Sequence, residues 1–154
     1  MSRPAILFSV NPYPGLDVFD DPRLGRIDEH KKFIRKNGSV NWNLIRNFRK
    51  DGPLEDYYTK IKKGYIYHVP DGRVSHTCEI NWIKRGDKLT PHDLKFTPHW
   101  RGTDLDQEWI TMNIKKFTLL DKRDWLSCKD FKSYSTSKNL KQKYIINYGI
   151  VEEL

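Results

Sequence analysis

Residues Val74 to Ile83 carry a two-residue alternation, with Val74, His76, Cys78, Ile80 and Trp82 on one side and Ser75, Thr77, Glu79 and Asn81 on the other. Successive side chains of an extended strand point to opposite faces, so this stretch predicts a strand with one face buried and the other wet. It is preceded by Pro70-Asp71-Gly72-Arg73, where glycine supplies the positive φ of a tight turn, and before that by the apolar Tyr65 to Val69. The two segments predict a hairpin, which commits the chain to antiparallel sheet. With the turn at Asp71-Gly72, His76 is expected on the face of Tyr67, and His68 on the opposite face. Glu108 to Phe117 alternates again, with Ile110, Met112 and Ile114 opposed to Trp109, Thr111 and Asn113. A further strand is expected there.

The remaining elements are shorter. Ala5-Ile6-Leu7-Phe8-Ser9-Val10 is an apolar run closed by Asn11-Pro12-Tyr13-Pro14-Gly15, as in a buried strand that ends in a rigid turn. Pro12 to Arg26 has no periodicity and reads as loop. Asp28 to Arg35 opens with acids and closes with bases, as the helix dipole prefers, and Asn37-Gly38 is a stop signal. Ser39-Val40-Asn41-Trp42 favours extended structure. Asn43 is placed to cap a helix carrying Leu44 and Phe48 at i, i+4, which Asp51-Gly52-Pro53 would break. Leu54, Tyr57, Tyr58 and Ile61 fall at helical spacing ahead of Lys62-Lys63-Gly64. Arg85 to Gln107 reads as a long loop holding His99-Trp100-Arg101, and loops of that length are often functional. Tyr144 to Val151 is apolar and fits a helix or a strand. Together these predict an α+β fold in a single domain spanning residues 1–154.

Composition narrows the function classes. The chain has 28 Lys and Arg against 20 Asp and Glu, a net charge of +8, and such an excess attracts phosphate polymers or anionic surfaces. No apolar run approaches the roughly 20 residues that cross a bilayer, and Met1-Ser2-Arg3-Pro4 lacks the apolar core of a secretion signal. A soluble, cytoplasmic protein without a membrane partner is the expectation. Cys78 and Cys128 are too few for a disulfide framework and match no zinc spacing.

No nucleophile-elbow, zinc-protease, phosphate-loop or dinucleotide motif occurs. His68, His76, His92 and His99 invite a metal reading, which the opposed faces of His68 and His76 weaken. Asp104, Asp106 and Glu108 suggest either a solvated loop or a nuclease site, without a lysine and further acids at convincing spacing. Aromatic residues interleaved with bases say more. Unpaired or flipped bases are held by stacking on aromatic faces while lysine and arginine meet the phosphates. Trp42, after a polar segment, and Trp100, beside His99 and Arg101, fit either this role or packing. Trp82 continues the apolar face of its strand and is expected in the core.

The run Gly38-Ser39-Val40-Asn41-Trp42-Asn43-Leu44-Ile45-Arg46-Asn47-Phe48-Arg49, then Lys60-Ile61-Lys62-Lys63-Gly64-Tyr65-Ile66-Tyr67-His68-Val69, then Gly72-Arg73-Val74-Ser75-His76-Thr77-Cys78-Glu79-Ile80, resembles the EVE and YTH branches of the PUA-like superfamily in the order of its parts. Trp109 to Ile114 is similar to their next strand. The resemblance covers most of residues 4 to 120 and implies a PUA-like twisted, barrel-like sheet with short helices packed around it, carrying an irregular insertion near residues 12–36. It also implies a pocket for a base with a small modification such as a methyl group. Trp42 and Trp100 would form the aromatic cage, with Ser39 and Asn41 beside the base. Ser9, Val10 and Asn11 would read its edge, and Ser75 and His76 would form a wall. Arg46, Arg49, Lys129, Lys132 and Lys138 are candidates for phosphate contact.

The expected function is a non-catalytic module, without a cofactor, that reads a modified base in DNA or RNA, by itself or beside a nuclease partner. A small nucleic-acid-acting enzyme, a nuclease or an RNA-modifying protein, is the alternative.

Overall fold

In the computed structural model, which describes residues 4–10, 22–44, 59–68, 73–98, 110–133 and 148–153, the apolar run near the start forms strand β1 (Ala5–Val10). Helix α1 (Pro22–Asn37) and strands β2 (Val40–Leu44), β3 (Lys63–His68) and β4 (Arg73–Arg85) follow. Next come a short helix α2 (Pro91–Leu94) and strands β5 (Ile110–Leu119), β6 (Leu126–Ser127), β7 (Phe131–Ser133) and β8 (Tyr148–Glu153). All eight strands belong to one sheet, ordered β2-β5-β4-β3-β1-β8-β7 with β6 also paired to β4. The fold is α+β, mostly sheet, and among the described residues the sheet does not close on itself.

β1 explains why its sequence shows no alternation. It pairs in parallel with β3 and antiparallel with β8. Ile6 and Phe8 join one buried cluster, and Ala5 and Leu7 join another. A strand covered on both faces is apolar throughout. The apolar stretch near Tyr148 is resolved as a strand by the same pairing.

α1 packs on the face that carries Ile6 and Phe8, here called the inner face, through Ile27, His30, Phe33 and Ile34. It starts earlier than the expected Asp28, and residues 22–26, expected as loop, are helical. Proline is tolerated in a first turn because its missing N–H has no intrahelical partner there. The stop is as expected: Gly38 adopts φ 93° and its N–H donates to the Ile34 carbonyl at 2.7 Å, a left-handed cap that glycine takes without steric cost.

Two irregularities in β4 change which side chains are buried. Tyr67 pairs with Val74 but Ile66 pairs with His76, so Ser75 is an extra residue and His76 shares the face of Ile66 rather than that of Tyr67. Farther on, Ile80 pairs with Ile114 and Trp82 with Asn113, which leaves Asn81 as a second extra residue. Ile83 therefore takes the buried inner position, and Trp82, expected in the core, turns to the outer face and is half-buried. A bulge reverses the parity of everything beyond it.

A further expectation is corrected by pairing. Asn43 does not cap a helix: β2 continues through Leu44, and Asn43 lies opposite Thr111. Residues 45–58, with the rest of that helix and most of the next, lie outside the described residues. Gly64 sits within β3 opposite Cys78. A Cβ there would lie 2.6 Å from the Cys78 Sγ and 3.0 Å from the Phe8 ring, so the close approach of these groups requires glycine.

The sheet curls around its inner face. Phe8 on β1 and Trp42 on β2 are separated by three strands, a span of roughly 19 Å if the sheet were flat. Their ring centroids are nevertheless 5.4 Å apart. The second cluster, Ala5, Leu7, Tyr65, Tyr67, Val74, Phe131 and Val151, fills the outer face at the β3-β1-β8 end, where Phe131 sets its ring edge-on to Tyr65 at 4.8 Å.

Candidate functional site

The outer face at the other end, over β2, β5 and β4, is built differently. Strand alternation sends Val40 and Trp42 inward and Asn41 and Asn43 outward, opposite Asn113 and Thr111 of β5. Ser39, Asn41, Asn43, Thr111 and Asn113 are all buried, so each amide and hydroxyl must find a partner or forfeit its hydration. Asn113 Nδ2 donates to Asn41 Oδ1 at 2.9 Å and to Ser39 Oγ at 3.0 Å. Its own Oδ1 accepts from Asn81 Nδ2 at 2.7 Å. The Thr111 hydroxyl donates to Asn43 Oδ1 at 3.0 Å. A line of side-chain amides thus runs across three strands, from buried Asn41 to exposed Asn81.

The loop after β4 is fastened to this line. Asn41 Nδ2 donates to the Asp93 carbonyl at 2.8 Å and to Thr97 Oγ1 at 3.1 Å, and the Asn41 backbone N–H donates to the Phe96 carbonyl at 2.9 Å. The outer edge of β2, otherwise open to pairing, is met by this segment. α2 is held by a reciprocal cap: Asp93 N–H donates to Thr90 Oγ1 and Thr90 N–H donates to Asp93 Oδ2. Lys84 Nζ donates to the same carboxylate oxygen at 2.8 Å. Burial pushes the Asp93 pKa upward, but the hydrogen bonds from Lys84 and Thr90 and the Lys84 charge outweigh it and hold the carboxyl below its usual value. Lys84 Nζ also lies 4.8 Å from the centroid of the Trp82 ring, a cation–π contact that fixes the indole on the outer surface.

The residues proposed for a base pocket are divided by the sheet. Ser39 and Asn41 meet in the outer network. Trp42 lies on the opposite face, 3% exposed, with His30 at 4.4 Å and Phe117 at 6.0 Å between ring centroids. Its ring is a wall of the core. Ser9 and Val10 end β1 opposite Tyr67 and His68. Ser75 and His76 share that end of the sheet, buried, with Ser75 Oγ and His76 Nδ1 at 2.8 Å. Ser75 is six positions from Asn81, roughly 20 Å along the strand. Asn11, Trp100, Arg46, Arg49 and Lys138 lie outside the described residues. Lys129 is exposed, and Lys132 on β7 pairs with buried Glu152 at 3.1 Å.

Among the described residues no group of three or more His, Cys, Asp or Glu is placed to hold a metal. His99, Asp104, Asp106 and Glu108 lie outside them. No described helix is long and apolar enough to cross a membrane. Burial raises the Cys78 thiol pKa far above its usual range, which keeps it protonated and unreactive.

Sequence reasoning missed Asn43, Asn81, Trp82, Lys84, Asp93, Thr111 and Asn113 as one site. The signal was present in part. Ser39, Asn41 and Asn43 alternate with Val40 and Trp42, and Thr111 and Asn113 alternate with Ile110, Met112 and Ile114; two adjacent strands with matched polar faces make an amide ladder. No protein-family model, curated protein or solved structure matches the chain.

Proposed function

We propose that the protein is a non-catalytic nucleic-acid-binding module of PUA-like fold that receives a flipped base, modified by a small group such as methyl, on the outer face of β4. The observation that carries this reading is the half-buried Trp82, set beside the exposed Asn81 at the end of a line of amides. Indole faces stack bases, and side-chain amides read base edges. Lys84 lies over the ring, and the ring is half-exposed on the outer face, where a base can reach it. The buried amides behind Asn81 hold it in position, a support that a lone surface asparagine lacks. In this reading Trp82 supplies the stacking ring assigned to Trp42 by the resemblance, and Trp42 stiffens the sheet from behind. The module serves by itself or as the specificity element of a nuclease partner.

Stacking on an aromatic contributes about 1–3 kcal/mol and a buried methyl about 0.8 kcal/mol, against a few kcal/mol to unstack a base. The pocket therefore selects the base, and phosphate contacts supply the affinity. A panel of single- and double-stranded oligonucleotides differing in one modified base tests the reading. The unmutated protein is expected to prefer one modification, and Trp82→Ala to lose about tenfold in affinity, near the 1.4 kcal/mol that tenfold represents, while its circular dichroism is unchanged. Equal binding of all oligonucleotides, or undiminished binding by Trp82→Ala, overturns it.

A further inference from the structure

The affinity just described needs cations beside Trp82, and the structure gathers them in a place that linear sequence does not. Lys63 of β3 pairs with Glu79 of β4, which pairs with Lys116 of β5. These three side chains therefore form one row across the outer face, the two lysines roughly 10 Å apart at ordinary strand spacing. Lys115 is the extra residue where the β4–β5 register shifts between Glu79 and Ile80. Lys62 precedes β3 and its Nζ donates to the Asn81 carbonyl at 3.4 Å. Lys62, Lys63, Lys115 and Lys116 are all exposed, as is Glu79, so Lys63 and Lys116 flank one acid and two more exposed lysines adjoin them in sequence. Asn81 and Trp82 follow Glu79 by two and three residues on the same strand.

Crowded like charges on neighbouring strands repel one another, and the repulsion is relieved by a bound polyanion. A duplex hides the faces of its bases in the stack, whereas Trp82 presents a half-exposed aromatic ring on the same face of β4, three residues along from Glu79, the combination that tracks an unpaired strand. We infer that Lys62, Lys63, Lys115 and Lys116 form a phosphate track for a single-stranded segment of DNA or RNA that crosses β3, β4 and β5 and delivers one base to Trp82. The inference rests on the proposed base site for its direction, and its cations are distinct from Arg46, Arg49, Lys129, Lys132 and Lys138.

The test is the salt dependence of binding to a single-stranded oligonucleotide, with and without the preferred modification, for the unmutated protein and Lys63→Gln/Lys116→Gln. Each phosphate contact removed lowers the slope of log K against log salt by about 0.7 for single strands. The double variant should therefore lose about 1.4 from the slope while keeping the ratio of modified to unmodified affinity. Glu79→Gln should bind more tightly than the unmutated protein. An unchanged slope with the preference intact overturns the track and leaves the base site standing. A reduced slope with no base preference in any protein supports the track and overturns the base site. Duplex bound as tightly as single strand, with the same loss of slope, overturns the single-strand assignment, and no binding to any oligonucleotide overturns both.

Discussion

Trp42 and Trp82 face opposite ways from the same three-strand stretch of sheet, and the contrast between them separates stability from recognition. Trp42 is enclosed by Phe8, His30 and Phe117 on the inner face. Trp82 lies on the outer face under Lys84, beside amides that bond to one another across strands. Chemically similar side chains thus serve a dry core and a wet surface, and parity along the strand decides which. The inner face gains from packing, where every contact with water is lost. The outer face gains nothing from burial unless each polar atom finds its partner.

The largest expected effect is on the inner face. Trp42→Ala should destabilise the protein by about 3–5 kcal/mol, as removal of a large buried ring does, measured by urea unfolding; a loss under about 1 kcal/mol would break the assignment of this ring to the core. Asn113→Ala should cost about 1–3 kcal/mol, because it leaves Asn41, Ser39 and Asn81 without a shared buried partner. A double-mutant cycle with Asn41→Ala sharpens this: the two losses should fall short of additivity, and strict additivity would mean that the amides do not act together. Gly64→Ala tests how tightly the inner face is filled. With Cys78 Sγ 2.6 Å and the Phe8 ring 3.0 Å from the new methyl, it should cost about 1–3 kcal/mol.

The outer face should respond to acid. The folded Asp93 carboxyl titrates below its unfolded value of about 3.9 because of Lys84 and Thr90. Its contribution is therefore fully present above that value and lost as pH falls through the folded pKa. Hydrogen exchange of residues 90–97 should accelerate below about pH 4, and Asp93→Asn should remove that dependence; a pH profile unaltered by Asp93→Asn would refute the role. The smallest effect is Trp82→Ala, expected within about 1 kcal/mol of the unmutated stability since the ring is only half-buried. A loss as large as that of Trp42→Ala would erase the distinction between the faces.

Much of the fold was legible. The β4 alternation, its hairpin with β3, the apolar β1 and the Gly38 stop follow from periodicity and backbone preference. What escaped were the bulges at Ser75 and Asn81, because an extra residue is defined by the partner strand it fails to match and leaves no mark in its own sequence. That one fact moved Trp82 outward, brought Ile83 inward and placed His76 with Ile66. The candidate site was legible only as separate polar residues. Ser39 and Asn41 were singled out, but their connection through Asn113 to Asn81 depends on β5 lying between β2 and β4, a non-local pairing.

The placement of β1 between β3 and β8 bears on how the chain is made. During synthesis β1 emerges ahead of the other described strands, yet one of its edges is filled only when Tyr148–Glu153 follows. Until then Ala5 to Phe8 present unpaired backbone on an apolar strand, a template for pairing with another nascent chain. A ribosome stalled anywhere before residue 148 holds a sheet with β1 as an open edge, so protection of that edge falls to the pace of translation and to whatever attends the emerging polypeptide.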